Sequence, residues 1–121
     1  MALAEKGSDK KLLLGARLAL AQAELASGAA GEAAKIASQV QAEFNKLRQP
    51  ESEWRAALLA ALANRSVGKR QLAYDHAAQA AAVLTNLRSK WGEKFFDCYL
   101  LRPDVKHLHE QLHALIRNNQ N

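Results

Sequence analysis

Residues 14–48 read LGARLALAQAELASGAAGEAAKIASQVQAEFNKLR, and residues 54–88 read WRAALLAALANRSVGKRQLAYDHAAQAAAVLTNLR. When the two stretches are aligned without a gap, Gly28 aligns with Gly68 and Phe44 aligns with Leu84. Alanines also align at several further positions, but some of these matches arise by chance in an alanine-rich chain. The aligned glycines and large apolar residues are therefore the stronger evidence for a repeat. The displacement of about 40 residues predicts one structural unit that is used twice.

Each copy contains segments whose apolar residues recur at intervals of three and four, the period of a helix that is buried on one side. A glycine lies between the two segments of each copy, where it can turn the chain. Each copy is therefore predicted to be an antiparallel helix hairpin, and the second stacks on the first because one hairpin cannot cover its own apolar stripe. The clearest periodic residues are Leu14, Leu18, Ala21 and Leu25; Ile36, Val40, Phe44 and Leu47; and Ala77, Ala80, Leu84 and Leu87.

The whole chain, residues 1–121, is predicted to be a single all-α domain. Ser8-Asp9 offers an N-cap for the first helix, and Pro50 and Pro103 suit the first turns of two later helices. The first hairpin covers about residues 9–48 and the second about 50–90. A short and a long helix, within residues 92–118, cap the stack. The six predicted helices span about residues 8–27, 30–48, 49–66, 69–90, 93–101 and 102–117.

Composition supports helices and a reducing compartment. Alanine and leucine are abundant and β-branched residues are few, so helix formation costs little side-chain entropy. The single cysteine cannot form an internal disulfide, and we expect a cytoplasmic protein. We expect no secretion signal and no membrane span, because no run reaches the roughly 20 apolar residues that a span needs. The net charge of +5 is moderate, and we do not expect nucleic acid as a partner.

The repeated unit resembles a known family of helical repeats. The stretches Leu20-Ala21, Ser27-Gly28 and Glu32-Ala33, with Ala37 and Val40, and the stretches Ala60-Ala61 and Val67-Gly68, with Ala73, Ala77 and Ala80, are similar to the tetratricopeptide repeat. In that family a small residue of the first helix faces alanines of the second, and a glycine separates them. The resemblance covers about residues 14–88, and the period here is longer than the family's usual 34 residues. It implies a binding module for a protein or peptide.

A second resemblance concerns the end of the chain. Trp91-Gly92-Glu93, Tyr99-Leu100 and Arg102-Pro103-Asp104-Val105 resemble the ends of tetratricopeptide tails attached to bacterial kinases and transcriptional regulators. This similarity implies that the chain is the C-terminal part of a larger bacterial signalling or regulatory protein.

The resemblance to tetratricopeptide repeats also implies where a partner would bind. The first helix of each hairpin would line a concave groove. An apolar groove must be covered by a partner helix, by the chain's own C-terminal helix or by a second copy. The expected groove residues are Leu18, Gln22, Arg55, Leu58, Leu59 and Leu62.

The first helix carries more apolar surface than its own hairpin would use. Leu12, Leu13 and Leu14 follow one another, whereas terminal repeats of a solenoid normally carry polar caps. We expect these leucines to form an interface, either with a second copy in a homodimer or with upstream repeats of a parent chain.

Residues 109–113, His-Glu-Gln-Leu-His, match the spacing of a zinc-peptidase motif. Such a site needs a third ligand, and no His, Cys, Asp or Glu follows His113. We therefore expect no catalytic residues, no resident metal and no cofactor, with His109 and His113 at most a weak adventitious metal pair. Cys98, beside Phe95, Phe96 and Tyr99, is expected to be a buried structural thiol.

Two functional classes remain open at this point. The favoured one is a non-catalytic protein-interaction or assembly module. The alternative is a regulatory sensor domain that binds a small ligand in a helical pocket. A monomer with a deep internal pocket would favour the sensor, whereas a dimer or an exposed groove would favour the module.

Overall fold

The protein is all-helical in a computed structural model that describes the backbone of residues 3–120 and the side chains of residues 9–117. The described residues form six helices and contain no strand, which confirms the predicted class and helix order. The helices are α1 (Leu3–Ala26), α2 (Ala30–Lys46), α3 (Pro50–Ser66), α4 (Arg70–Trp91), α5 (Glu93–Leu100) and α6 (Pro103–Gln120).

The two outermost helix ends differ from the sequence prediction. Helix α1 begins at Leu3 and not near Ser8. Residues 3–6 are Leu, Ala, Glu and Lys, all strong helix formers, and they outweigh the preference of Ser8-Asp9 for a cap. Helix α6 likewise continues to Gln120, beyond the predicted end of the capping segment at residue 118.

The helices pack as antiparallel hairpins. Lys10, early in α1, forms an ion pair of 3.3 Å with Glu43, late in α2. Further along both helices, Arg17 donates to Gln39 at 2.6 Å, as antiparallel axes require. Helix α3 contacts α1, α2, α4 and α6, while α6 packs on α3, α4 and α5. Helices α1, α3 and α6 therefore form one layer, and α2 and α4 form the other.

Helix α3 is the centre of the molecule. It is buried on almost every side from Trp54 to Asn64, because the neighbouring helices surround it. Its large residues Trp54 and Leu58 pack against α4 and α6 in the main core. Toward α1 and α2 its alanines meet further alanines, so these helices can approach closely. The main core comprises Trp54, Ala57, Leu58, Ala61, Ala77, Ala80, Leu84, Leu87, Phe96, Tyr99, Val105, Leu112 and Leu115.

Three chain reversals share one backbone geometry. Gly28, Arg48 and Gly68 have φ values of 96°, 55° and 84°, in the left-handed region. After each, the next amide donates to a carbonyl five residues back: Ala29 to Glu24, Gln49 to Phe44 and Lys69 to Asn64, at 2.7, 3.0 and 2.9 Å. This is the Schellman arrangement that ends many helices. Gly28 and Gly68 lie in turns, as the sequence predicted.

The turn residues give a test of backbone energetics. We expect Gly28→Ala and Gly68→Ala each to lower the free energy of unfolding by about 1 kcal/mol, since an L residue is disfavoured at positive φ. A methyl group at either position meets no atom within 4 Å, so crowding adds nothing. Arg48→Gly should raise the free energy of unfolding, by about 0.5–1 kcal/mol. Urea unfolding followed by circular dichroism measures all three.

Gly31→Ala is the matched control for these variants. Gly31 lies inside α2, its φ is not positive, and an added methyl group again meets no atom within 4 Å. Alanine there should be neutral or stabilising. Equal destabilisation by alanine at Gly28, Gly31 and Gly68 would show that the left-handed backbone is not the cause.

Candidate functional site

The surface expected to form a groove is largely closed by the chain itself. Leu58 is only 1% exposed and Leu59 only 7%, so neither can contact a partner. Leu58 packs with Val105, Leu112 and Leu115 of α6, which means that the C-terminal helix covers this part of α3. Of the other expected groove residues, Leu18 and Leu62 are half-buried and Gln22 is exposed.

Arg55, the remaining expected groove residue, links two helices. Its Nη2 lies 3.1 Å from Oδ2 of Asp104, in the first turn of α6, and Asp104 also pairs with Arg102. The Nε atom of Arg55 is buried and has no hydrogen-bond partner among the described residues. Arg55 therefore links α6 to α3.

The three consecutive leucines of α1 divide between core and surface. Leu14 is 3% exposed and packs with Val40, Phe44 and Ala56, so its assignment to an interface is wrong. Leu12 and Leu13 are 73% and 61% exposed, and Leu20 is 50% exposed. Successive helical residues point about 100° apart, and for this reason the three neighbours cannot share one face.

Helix α1 is apolar on its outer side as well as on its inner side. The inner stripe, Leu14, Leu18, Ala21 and Leu25, packs on the rest of the chain. A helix that is apolar all round is normally buried all round. Between Lys11 and Gln22, the exposed residues of α1 carry no charge. They are Leu12, Leu13, Gly15, Ala16, Ala19 and Leu20, and exposed Ala23 continues the stripe. We call these seven residues the outer face of α1.

An open groove lies in the other layer, between α2 and α4. The two helices run parallel, since Ser38 contacts His76 and Gln41 contacts Gln79, with the numbering rising together. The groove encloses about 1110 Å³. It is lined by Ser38, Gln41, Ala42, Asn45, Lys46 and Arg48 of the α2 side, by Pro50 and Glu53 of α3, and by His76, Gln79, Ala82, Val83, Asn86, Leu87, Ser89 and Lys90 of α4.

A hydrogen-bonded network crosses one end of this groove. Nδ1 of His76 lies 2.9 Å from Oε1 of Gln41, and Nε2 lies 3.4 Å from Oγ of Ser38. Because an amide oxygen only accepts, Nδ1 carries the proton. Nε2 can then accept from the serine hydroxyl. Desolvation by burial lowers the pKa of His76, and the nearby Asp75 only partly opposes it. The network is therefore neutral at neutral pH.

The opposite end of the groove is basic. Lys46, Arg48 and Lys90 line it where α2 and α4 end. Lys46 pairs at 3.6 Å with Glu43, whereas Arg48 and Lys90 form no ion pair with any side chain between residues 9 and 117. The lining carboxylate, Glu53, accepts a hydrogen bond of 3.1 Å from Asn45.

This groove was not predicted from the sequence, because the resemblance to tetratricopeptide repeats placed the binding surface on the first helix of each hairpin. A signal was present: Ser38, Gln41 and Asn45 recur at intervals of three and four on α2, and His76, Gln79 and Asn86 share one side of α4. Such polar stripes ordinarily face water. Their spacing within each helix does not show that the stripes of α2 and α4 line the same groove.

A smaller hollow of about 500 Å³ lies beside α5, lined by Trp91, Phe95, Cys98, Tyr99 and Arg102. Phe95 and Cys98 are both exposed, so the expectation of a buried thiol is wrong. Helix α5 has only eight residues and buries Phe96 and Tyr99, three apart, on one side. Cys98 consequently lies on the other side.

The His-Glu-Gln-Leu-His motif lies on α6. The rings of His109 and His113 are 4.6 Å apart between centroids and meet edge to face. Burial lowers the pKa of His109, and the neighbouring His113 adds to the effect. Among the described residues, no group of three His, Cys, Asp or Glu side chains is placed to hold a metal ion.

Comparison of the chain with protein-family models, curated proteins and solved structures finds no match. Over the described residues, every helix is too short or too polar to cross a membrane.

Proposed function

We propose that this chain is a non-catalytic protein-interaction module that associates through the outer face of α1. The observation that carries the proposal is the exposure of Leu12, Leu13 and Leu20 on one side of a helix whose other side is already in the core. Contiguous exposed apolar patches on soluble proteins mark interaction sites more often than scattered single residues do.

The occupant that best fits this face is a second copy of the chain. Leu12, Ala16, Ala19 and Ala23 follow one line along the helix, with the large residue at one end and small residues at the other. A two-fold axis across the middle of the line sets Leu12 of one copy against Ala23 of the other, and Ala16 against Ala19. Isologous pairing of this kind is the commonest arrangement in homo-oligomers.

The test is the oligomeric state of a charge variant. We expect the double variant Leu12→Glu, Leu13→Lys to shift a dimer to monomer, because charged groups would have to be buried in the interface. Helicity should barely change, since both residues are exposed and both replacements are good helix formers. Sedimentation velocity over a wide concentration range, with circular dichroism, measures both effects.

The matched control is the variant Val67→Glu, Leu72→Lys, which makes the same change at exposed apolar residues of the second hairpin. It should leave the dimer intact. A concentration-independent monomer for the unmodified chain would overturn association with a second copy. If the outer face instead meets upstream repeats, a longer parent chain would protect Leu12 and Leu13 from solvent while remaining monomeric.

The sequence supports two further proposals, on the repeat family and on the parent protein of this chain. The repeat pattern supports a relationship to tetratricopeptide repeats, and the segment around Trp91 supports a tail position in a larger bacterial signalling or regulatory protein. An interaction module in such a protein would act in the cytoplasm, where Cys98 stays reduced.

A second candidate function is a sensor for a small ligand. The observation that favours it is the hollow beside α5, since its 500 Å³ falls within the range of small-molecule sites. Its wall includes Phe95, which is 73% exposed, so the hollow is open and shallow and the module is the better supported function. A monomeric chain that bound one equivalent of an aromatic ligand and quenched tryptophan fluorescence would favour the sensor.

A further inference from the structure

We infer that the groove between α2 and α4 binds a short acidic peptide segment of a partner protein, in an extended conformation. This inference rests on the proposed function as an interaction module and adds a second surface to it. The groove is formed mainly by α2 and α4, with Pro50 and Glu53 of α3 at one end, and shares none of its lining residues with the outer face of α1.

The dimensions of the groove suit a peptide. From Ser38 to Arg48 it follows α2 for about 15 Å, at about 1.5 Å per helical residue. That length accommodates roughly five residues of extended chain. The groove is open to solvent along the helices, so a segment of a longer protein can enter it without threading.

The polar lining suits the main chain of such a peptide. Asn45, Gln79 and Asn86 place three exposed side-chain amides along the two walls, whereas Gln41 is buried and already bonded to His76 and Gln79. An amide side chain both donates and accepts, as peptide groups require. Between the amides lie Ala42, Ala82 and Val83, which can pack against alternate side chains of an extended segment.

The charges of the groove select an acidic peptide. The lining holds three cations, Lys46, Arg48 and Lys90, and one carboxylate, Glu53, while the His76 network at the other end is neutral. Two of the cations, Arg48 and Lys90, have no ion-pair partner among the described side chains. A peptide whose carboxylates face the end of the groove near Arg48 and Lys90 would be electrostatically complementary.

The backbone at Arg48 supports a functional role for its side chain. The equivalent positions of the other two turns are glycines, Gly28 and Gly68, whereas Arg48 adopts the same left-handed conformation at φ 55°. A residue held in an unfavourable conformation is a pointer to function when its side chain lines a site. Arg48 is one of the residues that line this groove.

The position of these cations at the ends of α2 and α4 also has a purely structural explanation. Carbonyl groups at the C-terminal ends of α2 and α4 carry partial negative charge, and nearby Lys or Arg residues counter it. The two explanations differ for Arg48→Gly. If Arg48 only serves the turn, this change relaxes the backbone and affects no binding; if Arg48 binds a peptide, the variant is more stable and binds more weakly.

The experiment uses an array of peptides of about five varied residues, with Asp, Asn or Lys fixed at each position in turn. The full chain is labelled and applied to the array, and affinities for the preferred acidic sequence and its Asn counterpart are measured by fluorescence anisotropy. We expect a preference for Asp at one end of the peptide. The double variant Arg48→Gly, Lys90→Ala should weaken binding about fivefold to tenfold.

The control is Lys35→Ala, Lys94→Ala, which removes two exposed positive charges outside the groove and should leave the affinity within about twofold. The amide chemical-shift changes caused by the acidic peptide should be largest at Asn45, Gln79 and Asn86. No preference for Asp, equal weakening by the control, undiminished binding by the groove variant, or shift changes confined to α5 would each overturn the inference.

The same measurements on Leu12→Glu, Leu13→Lys separate the two surfaces. Peptide binding that persists in this variant would support the groove whatever the oligomeric state of the chain proves to be. A dimer that dissociates on this change, but shows no preference for acidic peptides, would leave the proposed function standing and remove the groove from it.

Discussion

Trp54→Ala should lower the free energy of unfolding by about 3–5 kcal/mol, the largest loss that we expect from any single side chain. Trp54 is fully buried in α3 and packs with residues of α4, α5 and α6. Its Nε1 donates to the hydroxyl of Tyr99 at 3.0 Å, which connects the second hairpin to α5. Truncation leaves a cavity where several helices meet. Urea unfolding at a single temperature measures the loss.

Two variants separate packing from hydrogen bonding at this site. Tyr99→Phe keeps the ring contacts with Trp91 and Phe96 but leaves the indole N–H of Trp54 buried without its acceptor, at a cost of about 1–3 kcal/mol. Trp54→Phe should lie between Tyr99→Phe and Trp54→Ala. A Trp54→Ala protein within about 1 kcal/mol of the unmodified chain would contradict the central position of this residue.

Ala33→Leu and Ala73→Leu should each destabilise the fold by about 1–3 kcal/mol through overpacking. Ala33 has no exposed surface and lies in a cluster with Ala21 and Leu59, where α1, α2 and α3 meet. Ala73 is 4% exposed at the corresponding place in the second hairpin. Three extra carbon atoms at either position must push neighbouring helices apart. Thermal melts of both variants measure the effect.

Exposed alanines on the same helices provide controls. Ala42→Leu on α2 and Ala78→Leu on α4 add the same atoms toward solvent and should change the free energy of unfolding by less than about 0.5 kcal/mol. If the buried and exposed substitutions proved equally mild, the close approach of the helices at Ala33 and Ala73 would be refuted.

The fold was largely predictable because its signals are local. Gly28 and Gly68 mark turns, and the apolar stripe through Val40 and Phe44 specifies which side of α2 is buried. These features depend on residues three, four or five apart, so one sequence suffices to find them. The turn at Arg48 was placed correctly without a glycine because Pro50 suits the first turn of the following helix.

The candidate surfaces were harder to predict because they depend on how whole helices are arranged. The exposed leucines of α1 were recognised from their excess over one helical face, but Leu14 belongs to the core. Whether Leu58 faces a partner or α6 depends on where the C-terminal helix folds back. The groove beside Gln41 depends on the separation of α2 and α4, which no periodicity within either helix encodes.

The packing of α3 also determines which helices unfold together. Helix α3 contacts α2 of the first hairpin as extensively as it contacts α4, its own hairpin partner. The packing between the two hairpins is therefore as extensive as the packing within the second hairpin. Separating the hairpins at residues 47–50 would expose buried alanines on both. Unfolding of α2, α3 and α4 should accordingly be cooperative. Helix α1, which lies at the edge and packs chiefly on α2, is the segment best placed to open by itself.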